Sequence, residues 1–414
     1  VDLSGTTTTL TGAYVVSGSV RSILAAGDFH NITITGDTAI GGGYGVSVFG
    51  LDPPLSTNIV ISNNVFYDFN DNGIYLRETD GAVISGNFFD KRTATVTSVN
   101  AIQIAQAANI NSKIFNNVIN VSQTSNGTQT FRGIYLFNGT GHKVYNNVIS
   151  NINLTSGNFI GIIVRTPGTA PEIYFNTISI DNSSASAGDL TGIAEELSNT
   201  NSVIKNNIIS ISQSTTGLKA GISLGAVAVV TTAITSNYNL IYTPGGNVGI
   251  KDALTPTLYP TLSDWQNATT QDANSVFADA GLTLTTSIPT TSAADGTGTP
   301  IGFVTTDILG NPRGANPDMG AYEYIPVGVF DFNHSDNFRV YPNPARGEIN
   351  INLTQSNSAS TLSIYNSTGQ LELQKVIMPG VVNEKIQTDV FARGLHLVKI
   401  DSGQDSRIVK LILQ

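Results

Sequence analysis

Cysteine is absent from the chain, which excludes a disulfide framework and thiol chemistry. No run of about 18 apolar residues is present, so a transmembrane helix is not expected. In the first 250 residues, apolar residues never keep helical spacing over a dozen positions. They alternate with polar residues instead, which is the periodicity of β-strands. These absences leave strands as the main elements of this part of the chain.

Basic residues are also few, since 20 Lys and Arg stand against 30 Asp and Glu, a formal net charge of −10. The deficit lies in residues 1–337, which contain 12 basic and 24 acidic residues. Residues 338–414 contain 8 basic and 6 acidic residues. An acidic surface repels phosphate groups, so nucleic acids and anionic membranes are poor partners for it. The chain begins at Val1 with no signal peptide. We expect either that a signal has been removed or that the sequence is a fragment.

An Asn recurs about every 30 residues, three positions after an aliphatic residue. The aliphatic column is Ile61, Ile84, Ile114, Val144, Ile173, Ile204 and Ile234, and the Asn column is Asn64, Asn87, Asn117, Asn147, Asn176, Asn207 and Asn237. An earlier pair, Ile34 and Asp37, fits the same frame. Asn tolerates the left-handed backbone of a tight corner, and stacked amides can hydrogen-bond from one repeat to the next.

A second short strand repeats in step with the Asn column, and its starting positions lie 28 to 32 residues apart. Examples are GVSV at 45–48, GIYL at 73–76 and 133–136, and GIIV at 161–164. Propeller blades need about 40–45 residues, and leucine-rich repeats need regularly spaced Leu, so neither fits. We predict an all-β protein with a right-handed parallel β-helix of about 8 coils over residues 1–250.

The repeat fades after residue 250, where turn-rich sequence begins. The segment TTDILGNPRGANPDMGAYEY at 305–324 resembles the closing segment of secreted bacterial parallel β-helix proteins. We therefore predict that residues 251–325 close the β-helix, because its last coil would expose sheet edges and apolar side chains. Trp265, Arg313 and Tyr322 are expected to pack within this closing segment. Residues 326–337 resemble a linker.

Residues 338–414 contain several short alternating strands between Gly, Pro and Asn turns, which predicts a small C-terminal β-sandwich. The motifs YPNPARG at 341–347, SIYNSTGQ at 363–370, GLHLVKI at 394–400 and a terminal KLIL follow in order. This region resembles the type A C-terminal sorting domain of the type IX secretion system of Bacteroidetes. The sorting signal implied by the resemblance comprises Tyr341, Pro342, Asn343, Pro344, Gly347, Gly369, Gly394 and Lys410.

The same resemblance implies where the protein resides and what handles it. Its partners would be the secretion machinery, namely the outer-membrane translocon and the sortase. The protein would be secreted from a Gram-negative bacterium or attached to its outer-membrane surface.

Acidic residues are the candidates for catalysis, since glycoside hydrolysis needs two carboxylates that flank one bond. A lyase would instead need a base beside a charge-neutralising cation such as calcium. The weak catalytic candidates are Asp68, Asp71, Glu78, Asp80 and Asp90 on two adjacent coils, and Glu195 and Glu196 in a later acidic group with Asp181 and Asp189. Glu195 occupies an inward strand position, where a buried carboxylate would need a partner. These acids form no repeated column, so a polysaccharide lyase or glycoside hydrolase is only the alternative.

The four histidines lack metal-ligand spacing, so no metal or cofactor is predicted beyond a calcium ion that loops could bind.

Aromatic residues offer a more regular column. The residue after each inward aliphatic points outward, and this position holds Phe115, Tyr145 and Tyr174 on three consecutive coils. Lys113 and Lys143 stand in the neighbouring outward column. Flat rings beside hydrogen-bonding groups suit a sugar, although rings can also stack to shield a sheet. We predict adhesin-like binding of a glycan or a surface partner. An inert stalk or a fragment of a longer adhesin is the third possibility.

Overall fold

The computed structural model shows two compact units, residues 1–325 and 326–414. It describes residues 8–10, 13–15, 29–94, 98–105, 108–123, 127, 129–165, 170–196, 201–225, 234–251, 255–282, 292–324, 338–353, 360–402 and 405–414. The linker predicted over 326–337 lies outside the described residues. The first unit consists mainly of parallel strands, and the second consists of antiparallel strands.

Three parallel sheets make up the first unit, and successive strands visit them in turn. Sheet 1 contains β1 (Thr8–Leu10), β3 (His30–Thr35), β6 (Ser56–Ser62), β9 (Thr79–Asp80), β10 (Val83–Ser85), β13 (Lys113–Phe115), β16 (Lys143–Tyr145), β19 (Glu172–Tyr174), β22 (Ser202–Lys205) and β25 (Ile234–Asn237). Sheet 2 contains β2 (Ala13–Val15), β4 (Thr38–Ile40), β7 (Val65–Tyr67), β11 (Phe88–Asp90), β14 (Val118–Val121), β17 (Val148–Ile152), β20 (Thr177–Ile180), β23 (Ile208–Ile211) and β26 (Leu240–Tyr242). Sheet 3 contains β5 (Tyr44–Phe49), β8 (Asn72–Arg77), β12 (Val99–Ala105), β15 (Thr130–Leu136), β18 (Asn158–Val164), β21 (Leu190–Glu195), β24 (Lys219–Leu224), β27 (Asn247–Lys251) and the antiparallel β28 (Thr257–Tyr259). From β3 to β27 the described chain passes through eight successive sets of three strands, which confirms the predicted parallel β-helix of about eight coils. Its right-handedness stays a prediction.

Isoleucine at matching positions of neighbouring strands forms the core. Ile61, Ile84 and Ile114 pair in register along sheet 1 and are fully buried. Sheet 3 repeats the arrangement with Ile74 and Ile102. β-Branched side chains suit strands, and each fully buried one contributes roughly 1.5–3 kcal/mol. The alternation in the sequence therefore becomes a continuous apolar interior.

A ladder of buried Asn side chains connects the coils at the corner between sheets 1 and 2. Asn117 Nδ2 donates to Asn147 Oδ1 at 2.9 Å and to the Ile84 carbonyl at 3.0 Å. Asn147 Nδ2 donates in the same way to Asn176 Oδ1 and to the Ile114 carbonyl, both at 2.9 Å. These contacts confirm the prediction that the amides hydrogen-bond from coil to coil.

The left-handed residue of this corner is the one before each ladder Asn, so that part of the prediction is wrong. Positive φ angles occur at Asn63, Gly86, Asn116, Asn146, Phe175, Asn206 and Tyr238. A left-handed residue lets the chain turn from sheet 1 into sheet 2, and the next side chain lies in the corner, where it meets its neighbours. The ladder Asn is thus selected by its amide hydrogen bonds, and the backbone strain falls on the residue before it.

The predicted columns are also wrong at the last coil. Ser236, not Ile234, pairs with Ile204, and Asn239, not Asn237, accepts the hydrogen bonds of Asn207. Two additional residues precede the corner in this coil, and the strand shifts by two positions to keep an Asn in the ladder. Ser236 can occupy the inward position because its hydroxyl donates to Asp272 Oδ1 at 2.9 Å.

Helix α1 (Leu262–Thr269) packs against β27 and β28 beyond the last coil. Thr261 caps the helix, since its hydroxyl accepts the Asp264 amide at 3.1 Å. Trp265 is fully buried in the core, and its Nε1 donates to Asp272 Oδ2 at 2.8 Å. Asp272 Oδ1 also accepts from Asn239, so the Asn ladder ends on a carboxylate. These contacts give both the apolar core and the ladder an end partner.

The rest of the closing segment lies beside the coils. Asn206 exchanges two 2.8 Å hydrogen bonds with the Thr299 backbone, and Asn146 Nδ2 donates to the Thr306 carbonyl at 2.8 Å. Arg313, whose side chain is buried, donates to Asn146 Oδ1 at 2.9 Å and pairs with Glu323. Tyr322 is half-buried. The segment thus covers a side of the β-helix and does not only close its end.

The second unit contains two antiparallel sheets that share one hydrophobic core. Sheet 4 contains β29 (Phe338–Tyr341), β30 (Glu348–Leu353) and β33 (Asn383–Gln387), and sheet 5 contains β31 (Ser360–Asn366), β32 (Leu371–Ile377), β34 (Gly394–Ser402) and β35 (Asp405–Leu413). Ile349 and Ile351 of sheet 4 and Leu362 and Ile364 of sheet 5 are fully buried. This is the small antiparallel domain predicted from the sequence. Within the described ranges, no helix has the length and apolarity needed to cross a bilayer.

Candidate functional site

Asp68 and Asp90, at the ends of sheet 2 strands, hold neighbouring coils together. Asp68 Oδ2 pairs with Arg92 Nη2 at 2.6 Å, and its Oδ1 accepts the Arg92 amide at 2.9 Å. Burial raises the pKa of Asp68, but the hydrogen bonds and charge of Arg92 outweigh burial and lower the pKa below its ordinary value. Asp90 accepts the Ser122 hydroxyl at 2.7 Å. Asp68 is therefore a poor proton donor, and both acids have structural partners.

Of the other early acids, Asp71 and Glu78 flank β8 of sheet 3, and Asp80 ends β9 of sheet 1. Glu78 is buried and pairs with Arg77 at 3.3 Å, and Asp80 accepts the Asn111 amide at 3.1 Å. Asp71 is partly exposed just before β8. The structure thus distributes these candidates over two corners.

Glu195 and Glu196 lie at the end of β21, in a different part of sheet 3. Glu195 is buried at the register position of Val164 and Leu224, as the inward pattern predicted. Glu196 lies 3.4 Å from Arg165. Four strand intervals separate β8 from β21, about 19 Å at ~4.8 Å each. A glycosidase pair needs its carboxyl groups about 5–9.5 Å apart, so the two acidic groups cannot share one bond.

Metal binding depends on ligands that gather around one point. Among the residues that the structure describes, no three His, Asp or Glu side chains gather closely enough to hold a metal ion. A calcium ion bound by loops stays a prediction. The carboxylates of Asp68, Asp80 and Asp90 each accept hydrogen bonds from other residues of the protein.

Phe115 and Tyr145 stand side by side on the outward surface of sheet 1. They pair in register, with ring centroids 4.9 Å apart and ring planes only 1° from parallel. Both rings are half-buried, Lys113 is exposed, and Lys143 pairs with Glu172 at 2.9 Å. The sequence thus located an aromatic stack that reaches the surface.

Tyr174, the third predicted ring, is mostly covered by the closing segment and is only 7% exposed. Phe303 lies 5.9 Å from Tyr174 and 5.5 Å from Tyr145, and Lys143 Nζ lies 3.9 Å from the Phe303 ring. The pKa of Tyr174 is raised, first by burial and then by the charge of Glu172. The accessible aromatic surface is therefore Phe115, Tyr145 and Phe303. Sequence patterns missed Phe303 because it lies outside the repeat.

The free side of the Phe115 ring faces small polar residues. Ser85 pairs with Phe115 in register, Ser62 pairs with Ser85, and Thr35 pairs with Ser62. Ser62 donates to Thr35 Oγ1 at 3.3 Å. We call Phe115 with this column of hydroxyls the Phe115 step. The Phe115 step therefore combines an aromatic ring with a column of hydroxyl groups that can donate and accept hydrogen bonds.

The predicted sorting signal joins both ends of the second unit. Asn343 Nδ2 donates to the Lys410 carbonyl at 2.6 Å, and Asn343 Oδ1 accepts the Ile412 amide at 3.0 Å. Ala345 continues the pairing with Ile412 and Gln414. Tyr341 and Lys410 are exposed, as are Pro342, Asn343 and Pro344, while Gly347, Gly369 and Gly394 have the positive φ angles that favour glycine. The motif and the terminal strand thus form one structural element.

Residues 339–414 match the protein-family model described as a secretion system C-terminal sorting domain. No significant match was found among curated proteins or among solved structures. The match confirms the sorting domain predicted from the motifs, and it implies handling by the type IX secretion system. The protein is therefore a β-solenoid with a C-terminal sorting domain, exported to the outside or to the cell surface.

Proposed function

We propose that this protein binds a polysaccharide at the Phe115 step after its export from a Gram-negative bacterium of the Bacteroidetes, where it acts as an adhesin-like surface or secreted protein. The observation that carries the proposal is the parallel stack of Phe115 and Tyr145 beside a column of hydroxyl groups. The sorting domain supports the location, since surface glycans are accessible to an exported protein.

The orientation of the Phe115 ring follows from two spacings. Neighbouring strands lie ~4.8 Å apart, and the two ring centroids are separated by 4.9 Å. The two rings are parallel and lie about one strand spacing apart, so Tyr145 neighbours one side of Phe115 and Ser85 neighbours the other. A serine side chain is too small to cover a ring. The apolar C–H face of a sugar can pack there.

The column of hydroxyl groups extends the contact beyond one sugar. Ser85, Ser62 and Thr35 lie on three consecutive strands and cover about 10 Å at ~4.8 Å per interval. Hydroxyl groups donate and accept, as sugar hydroxyls do, so successive sugar units can exchange hydrogen bonds with them. The exposed Lys113 adds a donor beside the ring. A chain of β-linked sugars with flat faces is the best match to this surface.

Replacing the ring tests the site. Phe115→Ala should weaken binding of laminarin, xylan or mannan, whichever the wild type binds, by about tenfold, because the sugar loses its apolar contact (about 1.4 kcal/mol). Affinity electrophoresis or calorimetry measures the change. Phe88→Ala on sheet 2 is the matched control, since Phe88 is also half-buried and lies on another face. Equal binding by Phe115→Ala and wild type would contradict the proposal.

A second substitution blocks the ring without removing it. Ser85→Phe should extend the stack onto the free face of Phe115 and abolish binding, while stacking leaves the free energy of unfolding unchanged or higher. Binding that survives in a folded Ser85→Phe variant would exclude the step. Release of reducing ends or unsaturated uronates by the wild-type protein would instead favour the hydrolase or lyase alternative.

Export should depend on the second compact unit. A chain that ends at residue 325, with a signal peptide supplied, should stay inside cells that carry a type IX system, whereas the full chain reaches the surface or the medium. Cell fractionation with an antibody against the first unit measures this. Lys385→Gln is a control for export, because this exposed side chain lies outside the sorting signal. Normal export of the shortened chain would show that the C-terminal unit is dispensable.

A further inference from the structure

The outward surface of sheet 3 concentrates aromatic rings and arginines in an otherwise acidic unit. Tyr75 stacks on Phe49 with centroids 5.0 Å apart, and Tyr135 meets Phe137 edge-on at 5.5 Å. The arginines of this surface are Arg77, Arg132 and Arg165, which lie 5.9, 5.2 and 4.8 Å from the rings of Phe49, Tyr135 and Phe137. We call the outward surface of β8, β12, β15 and β18 the arginine face. Arginine held on aromatic rings is weakly hydrated and preoriented for anions.

The carboxylates near this face pair with two of the three arginines. Arg77 pairs with Glu78 at 3.3 Å, and Arg165 lies 3.4 Å from Glu196. Arg165 also donates to the Tyr135 hydroxyl at 3.2 Å. Arg132 makes no ion pair in the part of the chain that the structure describes. One positive charge on the face is therefore left without a carboxylate.

Among the described residues, Arg132 has a hydrogen-bond donor without a partner, and its register partner Asn100 has an acceptor without one. Asn100 pairs with Arg132 in register on the adjacent strand. Asn100 Nδ2 donates to Asn72 and Gln103 at 3.0 and 3.1 Å, but its Oδ1 has no partner among the described residues. Arg132 Nε is likewise buried without a partner there. Buried polar atoms in native proteins almost always have partners, so two such atoms on register-paired residues of adjacent strands point to a ligand or bound water.

The two atoms define what the ligand must carry. Asn100 is only 7% exposed and its Oδ1 can accept a ligand hydroxyl, whereas Arg132 Nε needs an acceptor oxygen. A guanidinium favours an anionic oxygen of carboxylate or sulfate. Gln103 lies between Tyr75 and Tyr135 on the intervening strand, so a shorter side chain separates two bulkier rings. A hydroxylated ring that bears an anionic group satisfies every one of these features.

We infer that the arginine face is a second binding site, for an anionic polysaccharide whose carboxylate or sulfate binds Arg132 and whose hydroxyl donates to Asn100. This site lies on a different sheet from the Phe115 step and takes a ligand of different charge. Its ligand is expected to bind less tightly as salt rises, because counterions screen the arginine.

Matched polymers test the charge requirement. Dextran sulfate and alginate supply sulfate and carboxylate, and dextran is the neutral counterpart. At low salt the full chain should bind at least one anionic polymer at least tenfold more tightly than dextran, and 0.5 M NaCl should reduce that affinity. Equal affinity for dextran and both anionic polymers, or no binding of either anionic polymer, would overturn the inference.

Substitutions locate the site. Arg132→Gln should lower the affinity for the preferred anionic polymer about tenfold or more, and Arg132→Lys should give a smaller loss because it keeps the charge without Nε. Lys205→Gln on sheet 1 is the control and should change this affinity by less than twofold. Conversely, Phe115→Ala should leave anionic binding intact, which separates failure here from failure of the Phe115 step. Unchanged binding in a folded Arg132→Gln variant would refute the site.

Discussion

Asn147→Ala is expected to lower the free energy of unfolding of the first unit by about 4 kcal/mol. The Asn147 side chain donates to Asn176 and Ile114 and accepts from the backbone and side-chain amides of Asn117. Alanine would remove all four hydrogen bonds from a fully buried position. Each buried group left without a partner costs about 1–3 kcal/mol, and the lost side-chain volume adds to that cost. Because coils contact only their neighbours, the loss weakens two consecutive interfaces.

Denaturant unfolding followed by Trp265 fluorescence measures this effect, since Trp265 is the single tryptophan and is buried in the first unit. Asn267→Ala on the exposed surface of α1 is the matched control and should change stability by less than about 0.5 kcal/mol. A loss below about 1 kcal/mol for Asn147→Ala would show that the ladder contributes little to stability.

Acid should destabilise the first unit through His142. The ring is buried, its Nδ1 accepts the Ser112 amide at 3.2 Å, and its Nε2 therefore donates to the Asn138 carbonyl. Burial lowers the pKa of His142 from 6.5 to about 4, against the smaller opposite effect of the Asn138 hydrogen bond. Between these values the unfolded chain binds the proton more strongly than the folded chain, so stability falls as pH falls. Above pH 6.5 His142 is neutral in both states and does not lower the free energy of unfolding. Toward pH 4 its protonation in the unfolded chain lowers that free energy by about 3 kcal/mol, at 1.36 kcal/mol per pKa unit.

The test is the slope of unfolding free energy against pH between 4 and 6.5. His142→Gln should reduce this slope by up to about 1.4 kcal/mol per pH unit, because one titrating group is removed. His30→Gln is the control, since His30 is partly exposed on sheet 1. The assignment to His142 would fail if both variants kept the wild-type slope.

The repeat made much of the β-helix predictable. Ile61, Ile84 and Ile114 occupy the same position in successive repeats. Residues at the same position of successive coils stack in register. The Asn ladder followed for the same reason, and so did the outward position of Phe115 and Tyr145. The prediction failed at Ser236 and Asn239, where two additional residues break the frame.

The sorting domain was predictable for a different reason. Its motifs are contiguous, and the contacts of Asn343 with Lys410 and Ile412 explain why YPNPARG and the terminal strand occur together. The family match over 339–414 confirms this unit. The binding of a polysaccharide stays a proposal, because side-chain type alone does not show which rings remain accessible.

The sequence by itself determined the coil period, the apolar interior, the Asn ladder and the sorting domain, because each depends on a pattern that repeats or lies within a short motif. Only the tertiary structure decided that Phe303 covers Tyr174, that Arg313 reaches Asn146, and which face holds Arg132, an arginine without an ion pair among the described residues. The first two contacts join residues of the closing segment, which has no repeat, to coil residues more than 100 positions away, and their pairing depends on how the chain folds back. The third depends on which carboxylates reach neighbouring arginines across coils. Long-range packing, and not local pattern, therefore selects the surface that is free to bind.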